Sequence, residues 1–137
     1  MTEADRFEQL RTVPLFAGLS DERLRRVAEA ATPFAVEHGY VLAERGQPGS
    51  GMFVILDGTV EIDVPNREPL QMGPGEFFGE LSLLTDAPRV ARVKAVTPVR
   101  GLAIGRKVFT ELLHDEPGIA VAMLPVLARR LVELEHG

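Results

Sequence analysis

Between residues 33 and 105 the chain breaks into short apolar segments, none long enough for a stable helix. They are Phe34–Glu37, Tyr40–Glu44, Met52–Leu56, Thr59–Val64, Val90–Val96 and Arg100–Ile104. Turn residues part them: His38-Gly39, Gly46 to Gly51, Asp57-Gly58, Pro65-Asn66 and Gly73-Pro74-Gly75. Short strands of this kind bury an apolar face only by packing as sheets, which points to an antiparallel sandwich or jelly roll. Thr59 to Val64 alternates polar and apolar, so one face of that strand is buried. Asp57-Gly58 between two apolar strands predicts a hairpin.

The flanks follow a helical period. In Asp21–Ala31 the residues Leu24, Val27, Ala28 and Ala31 recur at three and four, and Ser20 stands where an N-cap is needed. Val13 to Leu19 is apolar but broken by Pro14 and Gly18, and reads as a turn that plugs the core. After residue 105, Val108, Leu112 and Leu113 give one short helix; Ile119, Met123, Leu127, Leu131 and Leu134 form a stripe along a second. Pro125 predicts a kink or a boundary there. Arg129, Arg130 and Glu133 read as the exposed face of that helix. The expected organisation is one domain, 1–137: helices over 1–32, strands over 33–105, two helices over 106–137. The fold class is α+β, mainly β.

Composition removes several chemistries. The 137 residues include no cysteine, so disulfides, thiolate catalysis and iron–sulfur clusters are out. His38, His114 and His136 stand far apart, without the clustered ligands of a β-roll metalloenzyme. A formal net charge of −5 disfavours nonspecific nucleic-acid binding, although one arginine in a pocket still binds a phosphate. The polar N-terminus has no secretory apolar core, and no apolar run approaches the roughly 20 residues of a membrane helix. The expectation is a soluble cytoplasmic protein.

One stretch, Gly73 to Val93, departs from the strand pattern. Gly79 to Leu84 makes a short helical turn, closed by Thr85-Asp86-Ala87-Pro88, and Arg89 follows at once. The first turn of a helix presents free N–H groups, here near Leu81 and Ser82, and these favour an anion. Gly79 admits a ligand close to the backbone. Arg89 offers a planar charged fork that matches phosphate oxygens. Glu80 accepts only, and a ribose 2′-hydroxyl is a suitable donor to it. The bland alternative is a solvated Glu–Arg pair of little energetic weight.

The run Phe78-Gly79-Glu80-Leu81-Ser82-Leu83-Leu84-Thr85-Asp86-Ala87-Pro88-Arg89-Val90-Ala91 resembles the phosphate-binding cassette of cyclic nucleotide-binding domains. Such domains occur in catabolite-activator-type regulators, protein kinase A regulatory subunits and cyclic-nucleotide-gated channels. Gly46 to Val60 resembles the family's glycine-punctuated hairpin, and the likeness runs from about Phe16 to Leu134. The resemblance implies an eight-stranded antiparallel β-roll (a double-stranded β-helix, jelly-roll-like) with N-terminal helices and two C-terminal helices. It implies that Gly79 and Glu80 take the ribose side and that Leu81 and Ser82 offer backbone N–H groups. Arg89 would pair with the cyclic phosphate, and Val90 and Ala91 would add backbone contacts. Ile62 and Leu70 would be apolar wall near base or sugar, or ordinary core. Arg130 or Leu134 would cap the base; Arg130 pairing with Glu80 is an alternative.

Val90 stands where many family members carry Ser or Thr. It has no hydroxyl, which lowers the expected affinity and takes support from cyclic GMP. The resemblance therefore implies a cyclic nucleotide sensor, cyclic AMP before cyclic GMP, that catalyses nothing and needs no metal or other cofactor. Ligand binding is expected to move the C-terminal helices. The alternative is a protein-interaction scaffold with a degenerate pocket. The chain carries no effector segment after Leu134, so it reads as a module of a larger protein or as a free-standing domain acting on an unidentified partner. The last helix is too short for a long coiled-coil dimer; a weak homodimer is left open.

Overall fold

The structure, a computed structural model, describes residues 2–136, apart from the side chains of Glu3 and of 134–136. Helix α1 (Glu3–Arg11) opens on a capping box in which Thr2 and Asp5 exchange backbone and side-chain hydrogen bonds. A 3₁₀ turn, Pro14–Phe16, buries Leu15 and Phe16 and is the core plug expected from the apolar Val13–Leu19 run. Helix α2 (Asp21–Ala30) starts at Ser20, whose hydroxyl accepts from the Arg23 N–H at 3.3 Å. Ser20→Ala is expected to cost about 1 kcal/mol, the usual worth of such a cap, read from denaturant unfolding.

Eight strands follow: β1 (Thr32–Val36), β2 (Val41–Ala43), β3 (Gly51–Asp57), β4 (Val60–Asp63), β5 (Leu70–Met72), β6 (Phe77–Phe78), β7 (Arg92–Ala95) and β8 (Val99–Gly105). They form two four-stranded sheets, β1-β8-β3-β6 and β2-β7-β4-β5, with every pairing antiparallel. Between β6 and β7 lies α3 (Glu80–Thr85); α4 (Arg106–Asp115) and α5 (Pro117–His136) close the chain. This is the mainly β roll with flanking helices that the sequence pattern and the resemblance imply.

Strand alternation divides the core in two. On β3, Met52 and Val54 face a cluster with Leu10, Phe16, Val27, Leu102, Phe109, Ile119 and Met123, where the helices cover the sheet. Phe53 and Ile55 face the other way, into a cluster with Val60, Ile62, Phe78, Val93 and Val99 that joins the two sheets.

Several details differ from expectation. Asp57-Gly58 is not a hairpin: β3 pairs with β6 and β8, whereas β4 pairs with β5 and β7. The chain changes sheets there, and Gly58, at φ +92°, packs so closely on Pro98 that the Pro98 carbonyl lies 2.1 Å from where a Cβ would sit. The Thr59 N–H is instead taken by the Thr97 hydroxyl at 2.9 Å. The local hairpin of this region is β4–β5, with Ile62 opposite Leu70 and Asn66 at φ +64° in the turn.

No helix boundary forms at Pro125, which lies inside α5. Pro125 sits on the exposed face, while Ile119 and Met123 before it and Leu127 after it pack on the core. The apolar stripe stops early: Leu131 is 57% exposed, because the helix has left the core by then. Leu134's side chain lies outside the described residues. Arg130 is not on the exposed face with Arg129 and Glu133 but turns inward. Among the described residues no helix is long and apolar enough to cross a membrane.

Candidate functional site

Strand β6 pairs Phe77 with Val54 and Phe78 with Phe53, and the Phe53 and Phe78 rings stack at 5.0 Å. The chain then turns through Gly79 at φ +92°, a left-handed conformation that suits glycine, and enters α3. A Cβ on Gly79 would lie 2.5 Å from an Arg89 guanidinium nitrogen and 2.9 Å from the Gly51 carbonyl oxygen. The first turn of α3 buries Glu80 and Ser82 and leaves Leu81 exposed. Asp86, at φ +61°, ends the helix, its N–H donating to the Ser82 carbonyl at 3.0 Å.

Arg89 returns across this turn. It donates to the Gly79 carbonyl at 3.2 Å and to the Gly51 carbonyl at 2.9 Å, beside the Phe53 ring. Those two bonds use two of its five donors. Its backbone is tied to the glycine loop: Arg89 N–H to the Gln47 carbonyl and Gly46 N–H to the Arg89 carbonyl, both at 2.9 Å. Burial pulls the Arg89 guanidinium below its ordinary range, and the Glu80 carboxylate acts against that shift. A half-buried, permanently charged fork next to a helix's first turn is an anion-binding arrangement.

Glu80 is 2% exposed and is paired with Arg130 of α5. Arg130 also donates to the Phe77 carbonyl and lies over the Phe77 ring at 4.7 Å. Of the two readings of Arg130, the structure has the pairing with Glu80, which directs its guanidinium to the cassette. The reason is electrostatic: a carboxylate buried this deeply needs a cation.

Gly79, Glu80, Leu81, Ser82 and Arg89 thus come together at one corner. Val90 follows, 52% exposed. Ala91 packs against the inter-sheet cluster, which also holds Ile62. Leu70 lies across the hairpin from Ile62 and is 58% exposed. A cavity of about 400 Å³, lined by Glu8, Gln9, Val13, Ile55 and Pro74 among others, shares none of the corner residues.

Sequence reasoning missed two residues of this corner. Gly49 backs onto α3 so closely that a Cβ would lie 2.3 Å from the Ser82 Cβ and 3.3 Å from the Arg89 Cζ. Arg106, first residue of α4, donates to the Gly49 and Ser82 carbonyls at 3.0 Å each and to Asp86 at 2.6 Å. The Gly46–Gly51 run signalled a turn; nothing in the pattern around Arg106 signalled partners so distant in sequence.

Residues 33–116 match the cyclic nucleotide-binding domain family. A cyclic nucleotide-gated potassium channel of Mesorhizobium japonicum is 38% identical over 108 residues, which are 79% of this chain and 30% of the channel. A CRP-like cAMP-activated global transcriptional regulator of Mycobacterium tuberculosis is 32% identical over 129 residues, covering 90% of this chain and 58% of the regulator. The Thermus thermophilus catabolite activator protein superposes with a TM-score of 0.80 at 29% identity, over 89% of this chain and 60% of that one. The chain therefore spans between about a third and three fifths of the length of these relatives.

Proposed function

The chain belongs to the cyclic nucleotide-binding domain family, and we propose that it binds cyclic AMP, with Arg89 on the cyclic phosphate and Glu80 on the ribose. The observation that carries the proposal is the half-buried Arg89 guanidinium, held by the Gly79 and Gly51 carbonyls at the first turn of α3. In this reading the N–H groups of Leu81 and Ser82 complete the phosphate site, with backbone contacts from Val90 and Ala91. Glu80 has two oxygens; Arg130 takes one, and the other accepts from the 2′-hydroxyl. Arg130 also offsets the charge of Glu80 beside an anionic ligand. Ile62 and Leu70 form the apolar wall toward the base, and Val90, with no hydroxyl, favours cyclic AMP over cyclic GMP.

The Glu80–Arg130 pair supports coupling to the C-terminal helices, since it joins the ribose side of the site to α5. A ligand shifts α5 only as far as it binds its two positions differently. The domain then regulates an effector: a channel, a transcription factor or another partner. A scaffold with a degenerate pocket is the rival reading, and Val90 is the residue that favours it.

Thermal melting with and without millimolar cyclic AMP separates the two. At a ligand concentration 100 times the dissociation constant, stabilisation is about 2.7 kcal/mol. For a chain of this size that raises Tm by roughly 10 °C. Cyclic AMP is expected to give the larger shift and cyclic GMP the smaller. An unchanged melt with both would leave the scaffold.

A further inference from the structure

We infer that Arg106 is a positioning residue for the phosphate site: it holds the two walls between which Arg89 lies, without touching the ligand. The inference rests on the proposed cyclic nucleotide reading. One wall is the glycine loop and the other is α3. The walls meet where Gly49 faces Ser82, at a separation that leaves no room for a Cβ, and the Arg89 guanidinium lies against the same point. Arg89 also hangs by its backbone from Gly46 and Gln47 of that loop. A change in the spacing of the walls therefore moves the guanidinium.

Arg106 fixes that spacing from behind. One guanidinium nitrogen donates at 3.0 Å both to the Gly49 carbonyl of the loop and to the Ser82 carbonyl of α3. The other donates to Asp86 at 2.6 Å and more weakly to the Leu83 carbonyl at 3.4 Å. The backbone N–H of Arg106 adds a bond to the Ser50 carbonyl at 2.9 Å. The Ser82 carbonyl already accepts from the Asp86 N–H at the end of α3, and Arg106 gives it a second donor while also reaching the Leu83 carbonyl. The Asp86 pair is exposed and adds little by itself; the fork across three carbonyls is what a lysine cannot reproduce.

The alternative is that Arg106 merely stabilises the start of α4. The two roles differ in their dependence on Arg89, so the test is a double-mutant cycle on the full chain with cyclic AMP as probe. Wild type, Arg106→Ala, Arg106→Lys, Arg89→Ala and the double variant are titrated by calorimetry or, where weak, by NMR, with melts alongside. Arg106→Ala is expected to weaken binding about tenfold, the size of coupling found between neighbours in one network. Arg106→Lys is expected not to restore it. With Arg89 already replaced, the further loss is expected to stay under about twofold, since little is left to position. Equal losses in both backgrounds, or an Arg106→Ala protein that binds like wild type, overturn the inference. If Arg106→Ala does not fold, Arg106→Lys runs the same cycle. A wild type that binds no cyclic nucleotide overturns the underlying reading; a wild type that binds with an unaffected variant overturns the positioning role alone.

Discussion

Arg89→Ala is expected to weaken cyclic AMP binding by about 10²–10³-fold or more, measured by titration calorimetry against wild type. The guanidinium is the strongest candidate charge for the cyclic phosphate. It is desolvated enough that burial already works against its charge. Removing one partner of a desolvated, hydrogen-bonded charge pair costs about 3–5 kcal/mol, mostly because the other charge is left unpaired. Arg130 does not substitute, because it is engaged with Glu80 and the Phe77 carbonyl. Arg89→Lys should recover only part of the loss, since an ammonium cannot hold the Gly79 and Gly51 carbonyls and a phosphate edge together. Wild-type affinity in Arg89→Ala would move the phosphate to another part of the molecule.

Gly79→Ala should be the more damaging change to the site as a whole. Two penalties coincide there. The backbone sits at φ +92°, where a side chain is strained, and the new Cβ would press on the Gly51 carbonyl at 2.9 Å and on Arg89 at 2.5 Å. The arginine tip can swing away, but the carbonyl belongs to β3 and cannot. Strain of this kind with a backbone clash costs about 2–4 kcal/mol, which lowers Tm by roughly 10 °C. Because the arginine must leave its slot, cyclic AMP affinity should fall together with stability. Calorimetric titration of the folded fraction and a melt without ligand read the two losses separately. A Gly79→Ala protein with wild-type melting and affinity would mean that the turn adopts another conformation than the one described.

Local pattern carried the reading of elements whose partners are near in sequence. Ser20 capping α2 and the buried spacing of Leu24, Val27 and Ala28 depend on one turn of chain. The cassette was read through its resemblance to a family motif, which is contiguous here: Gly79, Glu80 and Ser82 lie in one turn and Arg89 follows a short loop. Strands β5 and β6, of three and two residues, have too few positions to show a period. Asp57-Gly58 misled for a related reason. The dipeptide specifies a sharp change of direction, but β4 then pairs with β5 and β7 in the other sheet, and the turn contacts Pro98 and Thr97 on a distant connection. Pro125 was read as a kink or a boundary; α5 runs on through it as one helix, with Ile119 and Met123 before it and Leu127 after it packed on the core. Arg106 was illegible as a site residue, since its partners lie 20 or more positions away; Arg130 was reached through the resemblance, as a base cap or as the partner of Glu80.

The strand order sets a schedule for making the domain. Among the described residues β1 pairs with β8, with Thr32 opposite Ala103, and β3 needs the same strand. A nascent chain that has emerged as far as Arg89 already contains every candidate phosphate contact up to the arginine, yet lacks the two strands that anchor both sheets. Closing so long a loop before any contact rewards it makes assembly slow relative to a helical bundle. The corner around Arg89 therefore takes shape late and all at once, and a polypeptide truncated before β8 holds the cassette with nothing to shape it.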